Sequence, residues 1–213
     1  MRALNILDQL LCQADTALRT LFPPKHRESN RINPGQAAVS PTMSHDETRL
    51  VAGLMRVNHA GEVCAQALYQ GQALTAKLTA VKAQMMEAAA EEVDHLAWCE
   101  QRLRELDSQP SKLNPLWYSG SFMLGALAGL AGDRWSLGFV AETERQVGAH
   151  LEQHLHKIPR QDMKTRAILT QMHQDETHHA EVAHAAGAAD LPVFIQDAMK
   201  GVSKLLTCSS YYI

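Results

Sequence analysis

Twice in this chain a lone glutamate is followed some thirty residues later by Glu-x-x-His. Glu62 precedes Glu92-Val93-Asp94-His95 by 30 residues, and Glu144 precedes Glu176-Thr177-His178-His179 by 32. Together the copies hold four carboxylates and two imidazoles, the ligand set of a dinuclear metal site inside a four-helix bundle. One Glu-x-x-His alone carries little. With 13 Glu and 11 His in 213 residues, roughly 0.7 matches arise by chance. A third match, Glu181-Val182-Ala183-His184, sits five residues past Glu176. It is about 140° round the helix and reads as a surface coincidence.

The chain can bring the six side chains together if its apolar periodicity is helical. A short amphipathic helix is expected over residues 3–21, with Ile6, Leu7, Leu10, Leu11, Ala14 and Leu18 on one side. Residues 22–43 hold Pro23, Pro24, Pro34 and Pro41 and read as an irregular polar linker. Ser44-His45-Asp46-Glu47 is a capping box and opens a helix to about Leu78. Further helices are expected at about 79–106, 133–158, 161–186 and 192–207, with 208–213 as a tail.

In this reading each ligand lies on an apolar stripe. Glu62 falls in phase with Met55 and Tyr69, Glu92 and His95 with Met85 and Cys99, Glu144 with Val140 and Leu151, and Glu176 and His179 with Met172 and Ala183. Buried carboxylates need partners, and four converging ones repel unless cations lie between them. Glu142 and Glu91 fall out of phase and read as solvent-facing. Heights agree too. Glu62 lies 16 residues before Leu78 and Glu92 lies 14 after it, a difference of roughly 3 Å along antiparallel helices. The link 107–133 is then a long crossover between two hairpins.

Carboxylate and imidazole donors without thiolate suit iron or manganese over zinc. Two ions held by six side chains leave positions open for dioxygen or water. Such a site can oxygenate a substrate, store iron or handle peroxide. The net charge of −3 and scarce aromatic residues give no sign of nucleic acid. Cys12, Cys64, Cys99 and Cys208 form no Cys-x-x-Cys pair and read as reduced residues. Asp8 and Asp15 within the first apolar pattern argue against a signal peptide.

Arg56-Val57-Asn58-His59-Ala60-Gly61-Glu62, Ala67-Leu68-Tyr69-Gln70-Gly71-Gln72, Glu92-x-x-His95, Glu144 and Asp175-Glu176-x-x-His179 resemble the bacterial demethoxyubiquinone hydroxylases of ubiquinone biosynthesis. The likeness covers about residues 44–200, with no departure at the ligand positions. It implies an all-α, ferritin-like four-helix bundle over 44–207 with one long crossover and short N- and C-terminal helices. It implies a di-iron monooxygenase that uses O2 to hydroxylate the ring of a 2-polyprenyl-3-methyl-6-methoxy-1,4-benzoquinol. It implies Glu62, Glu92, His95, Glu144, Glu176 and His179 as the iron ligands, with one Glu bridging both ions. Other ubiquinone-biosynthesis proteins are expected partners, at the cytoplasmic face of the cell membrane.

Five more residues are candidates for a supporting role. Asp175 and Glu91, each directly before a ligand, are placed to reach the opposite helix's histidine. His59 is three residues from Glu62, His150 follows Glu144 by six, and Tyr69 lies two turns past Glu62. Residues 113–132 carry no charge and include Trp117, Tyr118, Phe122, Leu124, Leu127 and Leu130. Pro115 and four glycines favour a helix lying in the membrane interface over a spanning one. No nucleotide-binding or iron–sulfur signature is present, and Gly125-Ala-Leu-Ala-Gly129 reads as close helix packing. The reductant is then external: a reductase, NADH or the quinol itself.

Overall fold

The computed structural model describes residues 6–24, 26–39 and 42–213. Residues 3–5 of the expected first helix, the side chains of Ile6, Leu7 and Leu10, and Pro41 lie outside the described residues. Seven helices and no strand occur among those described: α1 (Ile6–Leu21), α2 (His45–Thr75), α3 (Thr79–Glu105), α4 (Asn114–Ala131), α5 (Asp133–Lys157), α6 (Met163–Ala185) and α7 (Val193–Tyr212).

Capping chemistry sets the helix ends. Ser44 Oγ accepts from the Glu47 amide at 3.2 Å while Glu47 Oε2 accepts from the Ser44 amide at 2.8 Å. These bonds satisfy orphan donors at the start of α2. The helix stops at Thr75, short of the expected Leu78. The amides of Lys77 and Leu78 instead donate to Asp133 at 3.0 and 2.9 Å. That fastens the α2–α3 turn to the first residue of α5. Gly132, at φ 117°, is the corner between α4 and α5, a conformation that excludes most other residues.

Helices α2, α3, α5 and α6 form the bundle, with α2–α3 and α5–α6 as its two hairpins. The crossover holds the helix expected within residues 113–132, α4, which lies along the outer side of α2. A Cβ on Gly125 would collide with the Leu68 carbonyl, one on Gly71 with the Phe122 carbonyl, and one on Gly129 with Thr75 Oγ1. Only glycine lets these backbones meet so closely. This is the close packing expected of Gly125-Ala-Leu-Ala-Gly129.

Helix α7 runs on through the residues expected to be a tail. Tyr211 packs over Gly53, its carbonyl accepts from Arg56 Nη1 at 2.5 Å, and Ser210 is buried. Glu142, expected to face solvent, is buried. Arg145 and Gln146 both bond its carboxylate, and Gln146 also reaches the α7 carbonyl of Gln196 at 3.3 Å. No helix among the described residues is long and apolar enough to cross a membrane.

Among the described residues the bundle core has two apolar layers, and a third cluster of Val63, Ala67, Leu96 and Tyr118 joins α2 and α3 to α4. One layer holds Met55, Trp98, Leu103, Leu151, Leu169 and Met172. The other holds Tyr69, Val81, Met85, Leu137, Val140 and Ala183. Along every bundle helix the six candidate ligands fall between these layers. Hydrocarbon therefore sits above and below a charged middle.

Candidate metal centre

The structure brings all six together in two overlapping groups. Glu62, Glu92, His95 and Glu176 form one, and Glu92, Glu144, Glu176 and His179 the other; within each, donor atoms lie within 4.8 Å of one another. Glu92 and Glu176 belong to both. None of the six is more than 8% exposed. Three carboxylates converge on His95 Nδ1: Glu92 at 3.1 Å, Glu176 at 3.3 Å and Glu62 at 3.4 Å. Around His179 Nδ1 stand Glu176 at 3.5 Å and Glu92 at 3.7 Å.

Buried polar atoms in proteins are normally hydrogen-bonded. Here Glu92 Oε1, Glu144 Oε2, both Glu176 oxygens and His179 Nδ1 complete no hydrogen bond. All five point into the same small volume. That fits the donor set of two hard or borderline cations, which would satisfy every orphan at once.

The outward nitrogens of both histidines are held from the opposite helix. Asp175, on α6, lies 2.8 Å from Nε2 of His95, on α3. Glu91, on α3, lies 2.6 Å from Nε2 of His179, on α6. The carboxylates fix the rings so that each Nδ1 faces inward. Glu91 is thus not simply a solvent-facing residue. Tyr69 donates its hydroxyl to Glu144 Oε1. His150 is half-buried at the wall of a cavity that also includes Glu62.

His59 is the exception. It does not join this cluster, since its ring lies between Glu100 at 3.3 Å and Asn114 at 3.3 Å. Three residues of separation put it near the Glu62 face, but α4 and Glu100 claim the ring.

Sequence reasoning missed Arg31 and Asp94. Arg31, in the segment before α2, binds Asp94 through Nε and Asp175 through Nη1, both at 2.9 Å. Its guanidinium stacks over Trp98, 4.9 Å from the ring centroid. An irregular segment offers no periodicity, and these partners lie some sixty residues or more away. The only available sign was an arginine in a proline-rich stretch.

Without metal the charges are in conflict. Burial, then repulsion from Glu92, pushes the Glu62 pKa well above the carboxylate range. Burial, then Glu176, does the same to Glu144. Burial opposes a charged His179, but Glu176, Glu92 and Glu91 prevail and lift its pKa to about 9. His95 is likewise lifted against burial, chiefly by Glu92 and Asp175. Burial would raise Glu176, but the His179 and His95 rings 3.5 and 3.3 Å away hold it low.

These directions fix a sign. A group whose pKa is higher folded than unfolded contributes stability fully below its unfolded value, and loses it as pH rises through the folded one. Glu62, Glu144, His95 and His179 all behave so. Glu176 contributes above its ordinary range and weakens only in acid. The metal-free protein is therefore expected to be less stable at about pH 9 than at about pH 7. Urea unfolding at the two values measures it, and equal or rising stability would count against the buried charge cluster.

Residues 49–210 match the family model described as ubiquinone biosynthesis protein COQ7. Curated relatives cover the whole chain along their own full length. A 3-demethoxyubiquinol 3-hydroxylase of Legionella pneumophila is 62% identical over 213 residues. Proteins of the same name from Acinetobacter baylyi and Acinetobacter baumannii are 56% and 54% identical. The paired Glu and Glu-x-x-His ligands, the bundle that gathers them and these full-length matches agree: the chain belongs to the COQ7 family.

Proposed function

We propose that this protein is a di-iron monooxygenase that hydroxylates the ring of a polyprenylated methoxy-benzoquinol, 3-demethoxyubiquinol, with O2. One observation carries the reading. The buried cluster of four carboxylates and two imidazoles borders, at Glu62, an apolar cavity of about 380 Å³ between α2, α4, α5 and α7. Its walls include Leu68, Trp117, Phe139, Leu151, Phe194 and Met199. An iron store has no use for a greasy chamber against its ligands, whereas a substituted quinol ring fits it.

Two ferrous ions held by Glu62, Glu92, His95, Glu144, Glu176 and His179 supply dioxygen activation when bound. The chain's own residues do the rest. The hydrocarbon walls keep bulk water from the ring and hold it beside Glu62. Burial, then the Lys157 charge, lowers the His150 pKa, so its imidazole is neutral near pH 7 and can accept a hydrogen bond from a quinol hydroxyl. Behind it His154 meets it edge-on at 5.0 Å and is held neutral, with a pKa of about 3, chiefly by burial, with the Lys157 charge adding to it. His154 Nδ1 lies 2.7 Å from Asn58 Oδ1, which keeps that ring in place. Burial and the nearby Glu144 raise the Tyr69 pKa, so it stays a donor and steadies the Glu144 carboxylate.

The cavity rim lies between two helices with exposed apolar outer faces. Leu116, Met123, Leu127 and Leu130 of α4 and Phe194 and Leu205 of α7 are each at least 60% exposed. Contiguous exposed apolar surface marks a contact with a partner or a membrane. It supports docking on the membrane surface, with the quinol entering from lipid and its tail left behind. The electrons come from a separate donor, such as a reductase or NADH.

Gly61 tests the reading. A Cβ there would meet nothing within 4 Å and would point into open space beside the cavity. Gly61→Leu fills that space and gains about 0.8 kcal/mol of helix propensity. Expected are unchanged iron content, unchanged or higher thermal stability, and hydroxylated quinol reduced on the order of a hundredfold through displacement of the ring. Full turnover by this variant, or no hydroxylated product from the iron-loaded wild type with reductant and O2, removes the proposal.

A further inference from the structure

The two halves of the centre are built differently. On the His95 half, a segment from outside the bundle closes the back. Asp94 is buried and accepts from the Asn30 amide at 2.6 Å and from Arg31 Nε at 2.9 Å. Arg31 Nη1 holds Asp175 at 2.9 Å, and Asp175 in turn holds His95. The flat guanidinium rests on Trp98, which itself stands 5.4 Å from the His95 ring. Asn33 anchors the same segment further along, donating to Gln101 at 2.9 Å. His95 is completely buried.

The His179 half has no such cover. Its carboxylate Glu91 is 41% exposed, and among the described residues no arginine or lysine is paired with it. Beside it a small mouth of about 130 Å³ reaches in from the surface; Glu87, Glu91, His178 and His179 line it together with the apolar Met85, Ala88, Val140 and Val182. His179 Nδ1, in a side chain 8% exposed, has no hydrogen-bond partner in the cluster. The mouth therefore offers carboxylate and imidazole donors outside and an unsatisfied nitrogen inside. A second cavity that touches the ligands, at Glu62, is walled mostly by hydrocarbon, and moving a dication through it carries a large desolvation cost.

We propose that the two ion positions exchange unequally: Arg31 is a positioning residue that locks the His95 position through Asp175, and ions enter and leave by the His179 side, through the mouth at Glu87, Glu91 and His178. The inference rests on the di-metal reading above, and the experiment separates the two. Ferrous ion is loaded anaerobically onto the full chain, and its release to an excess of a chromogenic ferrous chelator is followed in time. Expected are two phases of equal amplitude whose rates differ at least tenfold, in line with the roughly 10–100-fold effect of outer partners on metal affinity.

Arg31→Ala accelerates the slow phase about tenfold or more and leaves the fast phase unchanged. Arg31→Lys keeps the charge but not the two-pronged grip, and gives an intermediate slow phase. The double substitution Glu87→Gln, His178→Ala slows loading several-fold without changing the final ion count. A slow phase untouched by Arg31→Ala overturns the proposal. So does single-phase release from the wild type, a result that needs no variant to fold. Failure of the wild type to take up any ion overturns the di-metal reading itself.

Discussion

Glu176→Ala is expected to fold, to hold less than one iron per chain and to lose quinol hydroxylation by more than about a hundredfold. Glu176 belongs to both ligand groups, and both its oxygens lack a hydrogen bond. Removing it takes a donor from each ion position at once. Loss of an outer partner already costs roughly 10–100-fold in metal affinity or activity, and a shared ligand costs more. Stability separates this from simple misfolding. A ligand that binds only the folded state stabilises it by about 2.7 kcal/mol at a hundredfold excess over Kd. The wild type should therefore melt higher with ferrous ion than without, while the variant melts at one temperature in both. Metal-free, the two proteins should differ little, because the substitution removes repulsion with Glu144 together with attraction to His95 and His179. Two irons retained in Glu176→Ala would place the centre elsewhere.

The largest effect on folding is expected far from the ions. Asp162 is buried and takes a two-pronged bond from Arg102 Nη2, at 3.0 and 3.1 Å. Arg102 is itself only 3% exposed. Asp162 also caps α6, accepting from the Thr165 amide at 3.1 Å and its hydroxyl at 2.6 Å. That hydroxyl in turn accepts from Arg102 Nε at 2.8 Å. The network ties the end of α3 to the start of α6. Asp162→Ala leaves the buried guanidinium with only the partly exposed Glu105, 2.9 Å from Nη1, which places the cost toward the low end of the roughly 3–5 kcal/mol for breaking a buried pair. The lost cap adds about 1 kcal/mol. Melting should fall by on the order of 10 °C, measured on metal-free protein so that ion binding plays no part. Asp162→Asn, which keeps the cap and drops the charge, should fall between. A loss below about 1 kcal/mol for the alanine variant would mean that the pair contributes far less than its burial implies.

Much of the candidate centre was legible because its proposed ligands interrupt apolar stripes at helical spacing. Glu62, Glu92, Glu144 and Glu176 each sit where hydrocarbon was due, and near-equal distances to the first hairpin turn put Glu62 and Glu92 at one height. Asp175 and Glu91 were legible only as neighbours of ligands; that each crosses to the other helix's histidine depends on how α3 and α6 face one another. Phase failed at Glu142, where the side read as solvent is covered by α7. It also misled at His59, whose ring is taken by Glu100 and Asn114. Arg31 could not be found this way, because a segment without periodicity does not announce what it folds against. The tail read as featureless is helical since Tyr211 finds a bare glycine and an arginine waiting on α2.

The glycine contacts between α2 and α4 set a length scale for the reaction. Gly125 touches the Leu68 carbonyl with no slack, and Leu68 stands six residues from Glu62, roughly 9 Å along the axis. The greasy outer side of α4 and the ligand are thus opposite ends of one stiff strut. Under the proposed docking on a leaflet, the depth a quinol head must travel is set by that strut and not by how many isoprene units trail behind it.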